Sequence, residues 1–589
     1  MQCEHISYQV GSAETEPKTL SAGQQCSIRL CYTVGSIPIQ AGGSIRVQIP
    51  IAFSKPQFKS PLEIGYTTAY CDNPNVKLSL ALEQKTCLKD EIAYVTRWGR
   101  NVFIIVSDGE LHENDQIYLY YGFYSANNEP PLGKALYAKA SYFSGKHDFT
   151  VAVDTDGKRT APFSGFYQVA KQPFVTVKPQ HAVALRSVTP TTNSIDVHVV
   201  LLDKEKNPVT EETHFSVEDP EVNTVDGRRV MRCMVNCNGL QSQTNPSIEP
   251  ILGNHIYWGD IHGHSKCSDG LGTPDDYYYY AQKSALLDFA ALTDHGQELS
   301  DDDWEEIKAS NKSYNNPGSF VTILGYEFSH PVKGDKNIYY PGEDGPLLRE
   351  KAPFDIFSGN CFPLEDYVPS WKNYGAMMMF HQHAGKILKY YDSELVRLVE
   401  IYSNLGCCEQ SGAMPIFLPS VNKDFSGNYV EDGLNAGYRV GFTANGDDHA
   451  GRPGGFDWHR VRRVNPGGLT AVYAKELTRE AIFQALYSRH CYATTGARIA
   501  VDFQINGMMP GEVIQNAKYL NFLAFAAGTD RIVSLEIISN GNVIHQYSAN
   551  KLDAAFQMDI SEVNPGYYYL RVNQADGNRA WTSPIYVTK

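Results

Sequence analysis

The stretch YWGDIHGHSKCSDGLGTP, residues 257–274, decides how the middle of this 589-residue chain folds. An extended apolar run ends in His262 and His264, with one glycine between them, and Asp269 follows in a glycine-containing loop. Side chains two residues apart on an extended segment point the same way, so both imidazoles can face one centre. A shared metal centre requires that later strands end in ligands of the same kind.

Later extended runs also end in residues that bind metals. These runs are LDFAALTDH with Asp294 and His295, FVTILGYEFS with Glu327, GAMMMFHQH with His381 and His383, and YRVGFTANGDDH with Asp447, Asp448 and His449. Strands in this part of the chain alternate with helical segments, which is typical of a mostly parallel sheet closed as a barrel. In such a barrel the carboxyl ends of the strands converge on one face. Imidazole and carboxylate together suit Zn²⁺, Mn²⁺ or Fe²⁺, so the pattern predicts a metal site.

Three regions are predicted along the chain. Residues 1–245 form short alternating runs such as SIRLCYTV, typical of one or two β-sandwich modules. Residues 250–497 form the α/β barrel, and residues 498–589 return to the pattern of a small β-sandwich. The predicted fold class is therefore a multidomain α/β plus β protein, with a barrel flanked by sandwich-like domains.

Three helices are predicted inside the α/β region, in PDDYYYYAQKSAL, SDDDWEEIKASN and TREAIFQALYSRH. The tyrosine run invites an interpretation as a sugar-binding platform. Four consecutive tyrosines on a helix point in four directions, however, so packing into the core is favoured.

Composition limits the classes of partner. A formal net charge of -15 argues against nucleic acid, because phosphate backbones demand a basic surface. We expect no membrane span, since no apolar run approaches the roughly 20 residues that crossing a bilayer needs. The first residues lack a basic segment followed by an apolar one, so we expect no signal peptide and a cytoplasmic location.

The motifs GDIHGHSKCSDG, LDFAALTDH, GYEF, HQHAG and NGDDH resemble the successive motifs of the PHP (polymerase and histidinol phosphatase) superfamily. Its members are distorted (βα)7 barrels that hold two or three metal ions. The segment GRPGG, the run from residue 467 to residue 499 and the flanking β regions resemble large PHP-like proteins that are catalogued as a domain of unknown function. That resemblance covers nearly the whole chain.

The resemblance implies a set of ligands. One metal would be held by His262, His264, Glu327 and Asp447, with Glu327 bridging to a second metal completed by Asp269, His295 and His449. The HQHAG run would supply a further ligand, either His381 or His383. Two divalent ions (Zn, Mn or Fe) are expected. A third ion would need an additional histidine between the glutamate and HQHAG, where only His330 stands, close behind Glu327.

The expected reaction is hydrolysis by metal-bound hydroxide. The resemblance to the PHP superfamily implies a phosphoester in a small anionic molecule as the substrate. Proton donors to the leaving group are His449, Asp448 and Asp294, and the predicted substrate-binding cations are Arg452, Lys333 and Arg498. One alternative is a hydrolase of carboxylic esters, amides or other C–O and C–N bonds. Another is a non-catalytic binding protein with a relic barrel. In that binding protein the β modules would carry the function. In an enzyme the β regions would wall the barrel mouth, join subunits of a homo-oligomer or recruit a polymeric substrate.

Overall fold

The structure of the protein is a computed structural model. It describes residues 9–50, 52–82, 100–122, 138–158, 166–189, 196–210, 214–330, 333–349, 363–381, 387–415, 425–454 and 465–589.

The chain forms two compact units. One consists of Met1–Val183 with Leu202–Val209, and the other of Ala184–Leu201 with Thr210–Lys589. The predicted division into three regions stays a prediction.

The amino-terminal part is built of short strands. They are β1 (Gly11–Glu16), β2 (Thr19–Ser21), β3 (Gln25–Cys26), β4 (Ile28–Val34), β5 (Ser44–Gln48), β6 (Thr67–Cys71), β7 (Lys77–Leu82), β8 (Asn101–Asp108), β9 (Gln116–Tyr121), β10 (Ala138–Lys139), β11 (Gly145–Asp148), β12 (Thr150–Asp154), β13 (Tyr167–Gln168) and β14 (Phe174–Lys178). A four-stranded sheet has the order β1-β4-β9-β6, and a five-stranded sheet has the order β13-β12-β5-β8-β7. Alternate residues of β4 are buried, as expected of a strand with one face on a core.

The next strands lead to the predicted metal region and through it. They are β15 (Ala184–Val188), β16 (His198–Leu202), β17 (Pro208–Val209), β18 (Ser216–Val217), β19 (Glu221–Val225), β20 (Arg228–Arg232), β21 (Met234–Cys237), β22 (Leu240–Gln243), β23 (Ser247–Ile248), β24 (His255–Asp260), β25 (Phe289–Leu292), β26 (Val321–Phe328), β27 (Lys336–Tyr340), β28 (Met377–Phe380), β29 (Val396–Ser403), β30 (Gly406–Cys407), β31 (Gly441–Ala444), β32 (Leu469–Ala474) and β33 (Cys491–Thr494).

The carboxyl-terminal strands are β34 (Ala500–Ile505), β35 (Val513–Gln515), β36 (Leu520–Ser539), β37 (Asn542–Ile560), β38 (Gly566–Gln574), β39 (Arg579–Thr582) and β40 (Ile585–Thr588). They include two long ones, β36 and β37. β33 pairs antiparallel with β39, so the hydrogen-bonded sheet of the metal region continues into the carboxyl-terminal strands. The sheet does not stop at the boundary predicted after residue 497.

Five α-helices lie among the described residues. They are α1 (Pro274–Lys283), α2 (Asp301–Tyr314), α3 (Val368–Asn373), α4 (Val430–Asn435) and α5 (Arg479–Tyr487), and two 3-10 turns cover Leu364–Asp366 and Ile387–Lys389. α1 and α2 begin with capping boxes, in which Thr273 and Ser300 each accept a hydrogen bond from the third helical N–H. The three predicted helices are therefore confirmed.

The tyrosine run lies on α1, and its side chains point in different directions. Tyr277, Tyr278 and Tyr280 are buried, and Tyr279 is exposed. Packing into the core is confirmed as the main role of this run.

Strands of the metal region pair in a mixed sheet. β24, β25 and β26 are parallel neighbours, and so are β28, β29 and β31. Between these two sets β27 pairs antiparallel with both β26 and β28, and β24 pairs antiparallel with β32. The described residues are mostly strand with few helices, and the distorted (βα)7 barrel that the resemblance implies is not confirmed. The physical reason is β27, which returns the chain along the sheet without a crossover helix.

Among the described residues, no helix combines the length and the apolar character that crossing a membrane requires.

A buried polar contact ties the carboxyl-terminal strands to the loop after β30. Glu409 is buried, and its carboxylate accepts hydrogen bonds from Trp581 Nε1 at 3.0 Å, from Arg571 Nη1 at 3.0 Å and from the hydroxyl of Tyr569 at 2.5 Å. Loss of the carboxylate would remove the acceptor of Tyr569 and Trp581. Arg571, by contrast, would keep its contact with Glu536. A buried donor that has lost its acceptor lowers the stability of the folded state.

Glu409→Gln should destabilise this unit by about 3 kcal/mol. The NH2 group of the new side chain would face the N–H groups of Arg571 and Trp581, where the carboxylate oxygen accepts from both. The measurement is the thermal unfolding midpoint by circular dichroism. The control is Glu562→Gln at an exposed position of the same unit, expected to change stability by less than about 0.5 kcal/mol. Equal midpoints for the two variants would show that the Glu409 contacts add no net stability.

Candidate metal centre

The first two histidines lie just beyond the carboxyl end of β24. His262 and His264 are fully buried, and the glycine between them lies close to α1. A Cβ atom on Gly263 would lie 2.7 Å from ring atoms of Tyr277, and Gly263 also forms an isolated parallel bridge with Asp448. Glycine is therefore required here, because the backbone that carries the two imidazoles is packed against both neighbours.

The other predicted side chains follow neighbouring strands. His295 follows β25, Glu327 lies near the end of β26, and His381 follows β28. Asp447 and His449 follow β31. All five are close to the carboxyl ends of their strands, which brings them to the same edge of the sheet as His262 and His264.

The two histidines after β24 face two carboxylates. His264 Nε2 lies 3.3 Å from Asp447 Oδ1 and 3.4 Å from Glu327 Oε2. His262 Nε2 lies 3.3 Å from Glu327 Oε2 and 3.6 Å from Asp447 Oδ1. Two imidazoles and two carboxylates thus converge on a common volume.

A third carboxylate, Asp269, lies on the other side of His264. His449 Nε2 is 3.2 Å from Asp269 Oδ1, and His295 Nε2 is 3.7 Å from the same oxygen. His295 Nδ1 lies 3.4 Å from Glu327 Oε2. The rings of His295 and His449 stack on the ring of His264 with centroids 4.5 and 4.1 Å away.

Three overlapping groups offer one ligand atom per residue, all within 4.8 Å of one another. The groups are His264 with Asp269, His295 and His449; His262 with His264 and Asp447; and His262 with His381 and Glu400. The predicted set is brought together in the described residues, with His264 common to two groups. His383 lies outside the described residues.

His264 provides a test of whether a metal fits. Its Nε2 is buried and has no hydrogen-bond partner among the residues that the structure describes. Burial, and then the neighbouring His449 and His295, lower the pKa of its imidazole to about 3, so the ring is neutral. A neutral imidazole that turns an unused nitrogen toward two carboxylates has the geometry of a metal ligand, and the donor set matches Zn²⁺, Mn²⁺ or Fe²⁺.

Buried charge in this cluster needs compensation. Burial alone would lower the pKa of the His295 imidazole. The negative charges around it, chiefly Glu327 and Asp269, together outweigh burial and raise the pKa to about 9. Burial raises the pKa of Glu327, but the facing imidazoles lower it well below its usual range. Glu327 therefore stays ionised, and its buried charge requires either protonated histidines or bound cations beside it.

The two predicted acids Asp294 and Asp448 are engaged with loops. Asp294 accepts hydrogen bonds from the N–H and hydroxyl groups of both Ser265 and Ser268, which fixes the loop that carries Asp269. Asp448 accepts from the N–H groups of Ala450 and Arg452. These contacts favour a role in holding the ligand loops, and the catalytic role of either residue stays a prediction.

The predicted substrate-binding cations have other contacts. Arg452 is buried, with its guanidinium 4.6 Å from the ring centroid of Tyr280. Lys333 forms an ion pair with Glu365, and its ammonium lies 5.4 Å from the ring centroid of Tyr390.

Arg498 is buried and donates to the carbonyl oxygens of Ala285 and Leu286. These contacts tie Arg498 to the loop after α1, and a role in substrate binding is untested for all three cations. His330, the residue considered for a third metal, accepts a hydrogen bond from the N–H of Lys333 through Nδ1.

The prediction missed Glu400 and Asn445. Glu400 lies in β29 and contacts His262 and His381, and Asn445 follows β31 and contacts Glu400. The signal was available, because Glu400 is an acidic residue inside the apolar run LVRLVEIYS. A charge in a buried strand needs a partner.

Comparisons with known proteins found matches to parts of this chain. Residues 426–525 match the model of a protein of unknown function, DUF3604. An uncharacterized protein of Chlamydia pneumoniae is 31% identical over 365 residues, which cover 56% of this chain and 57% of that protein. An uncharacterized protein of Chlamydia trachomatis is 29% identical over 367 residues, which cover 57% and 58%. The chain spans little more than half the length of these curated relatives.

One solved structure is similar over part of the chain. It is a two-domain protein from Bacteroides vulgatus that contains a predicted PHP-like metal-dependent phosphoesterase. The sequence identity is 14% and the TM-score is 0.31, with 57% of this chain and 96% of that chain covered.

If these groups bind metal, replacing His262 or Asp447 by alanine should remove most of it, because each offers a ligand atom to the overlapping groups. Elemental mass spectrometry of the purified variants measures this. His255→Ala is the matched control, since His255 lies on the same β24 strand but outside the three groups. Full metal content in the His262 and Asp447 variants would contradict the assignment.

Gly263→Ala should weaken metal binding at least about 10-fold without removing any ligand, because the new Cβ displaces the backbone between the two histidines. Chelator competition measures the affinity. Gly342→Ala is the control, since a Cβ there has no atom within 4 Å. Unchanged affinity in Gly263→Ala would show that the clash is absorbed elsewhere.

Proposed function

We propose that this chain is a hydrolase that depends on divalent metal ions. The observation that carries the proposal is the buried cluster in which His264 Nε2, without a hydrogen-bond partner among the described residues, faces Glu327 and Asp447. One ion would be held by His264, Asp269, His295 and His449. A neighbouring ion would be held by His262, Glu327, His381 and Asp447.

Divalent ions bound there would lower the pKa of a coordinated water toward about 7 and polarise the substrate oxygen that is attacked. The chain's own contribution is to fix the ligands in a dry environment. Asp260 accepts hydrogen bonds from the N–H groups of His262, Gly446 and Gly454, and so joins the loops after β24 and β31. The strand ends and the Asp260 carboxylate would together hold the ligands in a fixed geometry.

We propose a phosphoester in a small anionic molecule as the substrate. Divalent ions bound in the cluster would offer positive charge to the oxygens of such a substrate. The motif resemblance to the PHP superfamily supports the same class of substrate.

Among the predicted proton donors, His449 would serve the proposed centre as a ligand of an ion and not as the donor to the leaving group. It is the candidate whose ring reaches the cluster, with Nε2 3.2 Å from Asp269 Oδ1. Asp294 and Asp448 instead accept hydrogen bonds from the ligand loops.

Metal-loaded protein should hydrolyse an aryl phosphate or a bis-aryl phosphate, and an aryl carboxylate ester completes the panel. We expect phosphoester turnover with Mn²⁺ or Zn²⁺, loss of turnover after chelation, and a rate at least about 10²-fold lower in Asp447→Ala. The measurement is release of the aryl chromophore, with His255→Ala as control.

Other outcomes separate the alternatives. Turnover of the carboxylate ester alone would replace the phosphoesterase proposal by the ester and amide hydrolase. Bound metal with no turnover of any of the three compounds would contradict a general phosphoesterase. Protein that binds no metal after reconstitution would indicate the non-catalytic binding protein.

A further inference from the structure

Glu400 contacts two of the candidate ligands from the side opposite to the other carboxylates. Its Oε1 lies 3.0 Å from His262 Nδ1, and its Oε2 lies 2.7 Å from His381 Nδ1. The other ring nitrogens point elsewhere. His262 Nε2 is 3.3 Å from Glu327 Oε2, and His381 Nε2 is 4.0 Å from Asp447 Oδ2. Glu400 therefore contacts both rings at the nitrogen that faces away from the centre.

Asn445 fixes the direction of these hydrogen bonds. Its Oδ1 accepts from the backbone N–H of Ile261 at 3.1 Å, and a backbone N–H can only donate. The amide nitrogen of Asn445 must then face Glu400, and it donates to Oε1 at 2.9 Å. This oxygen of Glu400 is an acceptor, so the hydrogen in its contact with His262 comes from Nδ1.

The same carboxylate is buried, and its other oxygen lies 2.7 Å from His381 Nδ1. An ionised carboxylate has acceptors only, which requires a hydrogen on Nδ1 of His381 as well. With hydrogen on Nδ1, a neutral imidazole carries its lone pair on Nε2. Both lone pairs are then directed to the side of Glu327 and Asp447.

We propose that Glu400 is a positioning residue of the metal centre, which holds His262 and His381 in the tautomer that presents Nε2 to a metal ion. This inference rests on the proposed metal-dependent function. It assigns His381 to the centre and explains why an apolar strand contains an acidic residue at this point. A carboxylate behind a metal-binding histidine typically changes metal affinity 10- to 100-fold when it is removed.

Glu400→Gln tests the role, because an amide has one acceptor and one donor group. The donor would face Nδ1 of one histidine, and that ring would have to move its hydrogen to Nε2 and lose its lone pair toward the centre. Glu409→Gln is the matched control. It is the same substitution in another buried glutamate nine residues later, whose partners Tyr569, Arg571 and Trp581 are outside the cluster.

The experiment is a competition titration of metal-free full-length protein with Zn²⁺ against a chelating dye. Wild type, Glu400→Gln and Glu409→Gln are compared at one pH, with thermal midpoints measured in parallel. We expect Glu400→Gln to bind Zn²⁺ at least about 10-fold more weakly, and Glu409→Gln to bind within about twofold of wild type despite its lower midpoint. Wild-type affinity in Glu400→Gln would overturn the inference and leave the proposed function standing.

A second measurement needs no variant of Glu400. Nitrogen NMR of Zn²⁺-loaded protein with labelled histidines reports which ring nitrogen carries hydrogen, and His381→Ala identifies the signals of His381. We expect hydrogen on Nδ1 and metal on Nε2, whereas metal on Nδ1 would overturn the inference. Wild type that binds no Zn²⁺ would overturn both proposals. If Glu400→Gln binds Zn²⁺ more weakly but the wild type hydrolyses none of the test esters, the positioning role of Glu400 is supported and the proposed hydrolase is contradicted.

Discussion

Three carboxylates, Asp269, Glu327 and Asp447, lie buried beside the imidazoles of the cluster, and the site depends on keeping them there. Burying charge in a dry environment is unfavourable unless opposite charge and hydrogen bonds compensate for it. Protonated histidines or bound cations can supply the charge. Either solution requires that several distant parts of the chain meet within a few ångströms, which is why the ligands lie at strand ends and not on free loops.

A second set of acidic side chains keeps those strand ends together. Asp260 joins the loops after β24 and β31, Asp294 holds the loop that carries Asp269, and Glu400 contacts His262 and His381. None of these carboxylates is needed to supply metal ligands in the proposed centre. They satisfy backbone and imidazole donors that would otherwise be buried without partners, and so they convert a cluster of charges into a fixed geometry.

The sequence alone predicted the local features, namely where helices begin and which residues lie at the strand ends. The helices α1, α2 and α5 begin at residues with good capping chemistry, and their periodicity marks the buried face. The strand ends with histidine and aspartate were also recognisable, because the residue types recur after each apolar run. The direction of each strand could not be predicted in this way, since an antiparallel strand such as β27 has the same short apolar pattern as a parallel one.

The sequence by itself determined which residue types are available at the strand ends, and hence that imidazole and carboxylate chemistry with divalent metals is favoured. Only the tertiary structure decided which atoms meet. It brought Glu400 of β29 behind His262, which lies 138 residues earlier in the chain, and behind His381, which lies 19 residues earlier. It also turned Asp294 and Asp448 toward the loops. The reason is that a side chain's type is local, whereas its partners depend on strand pairing between distant segments.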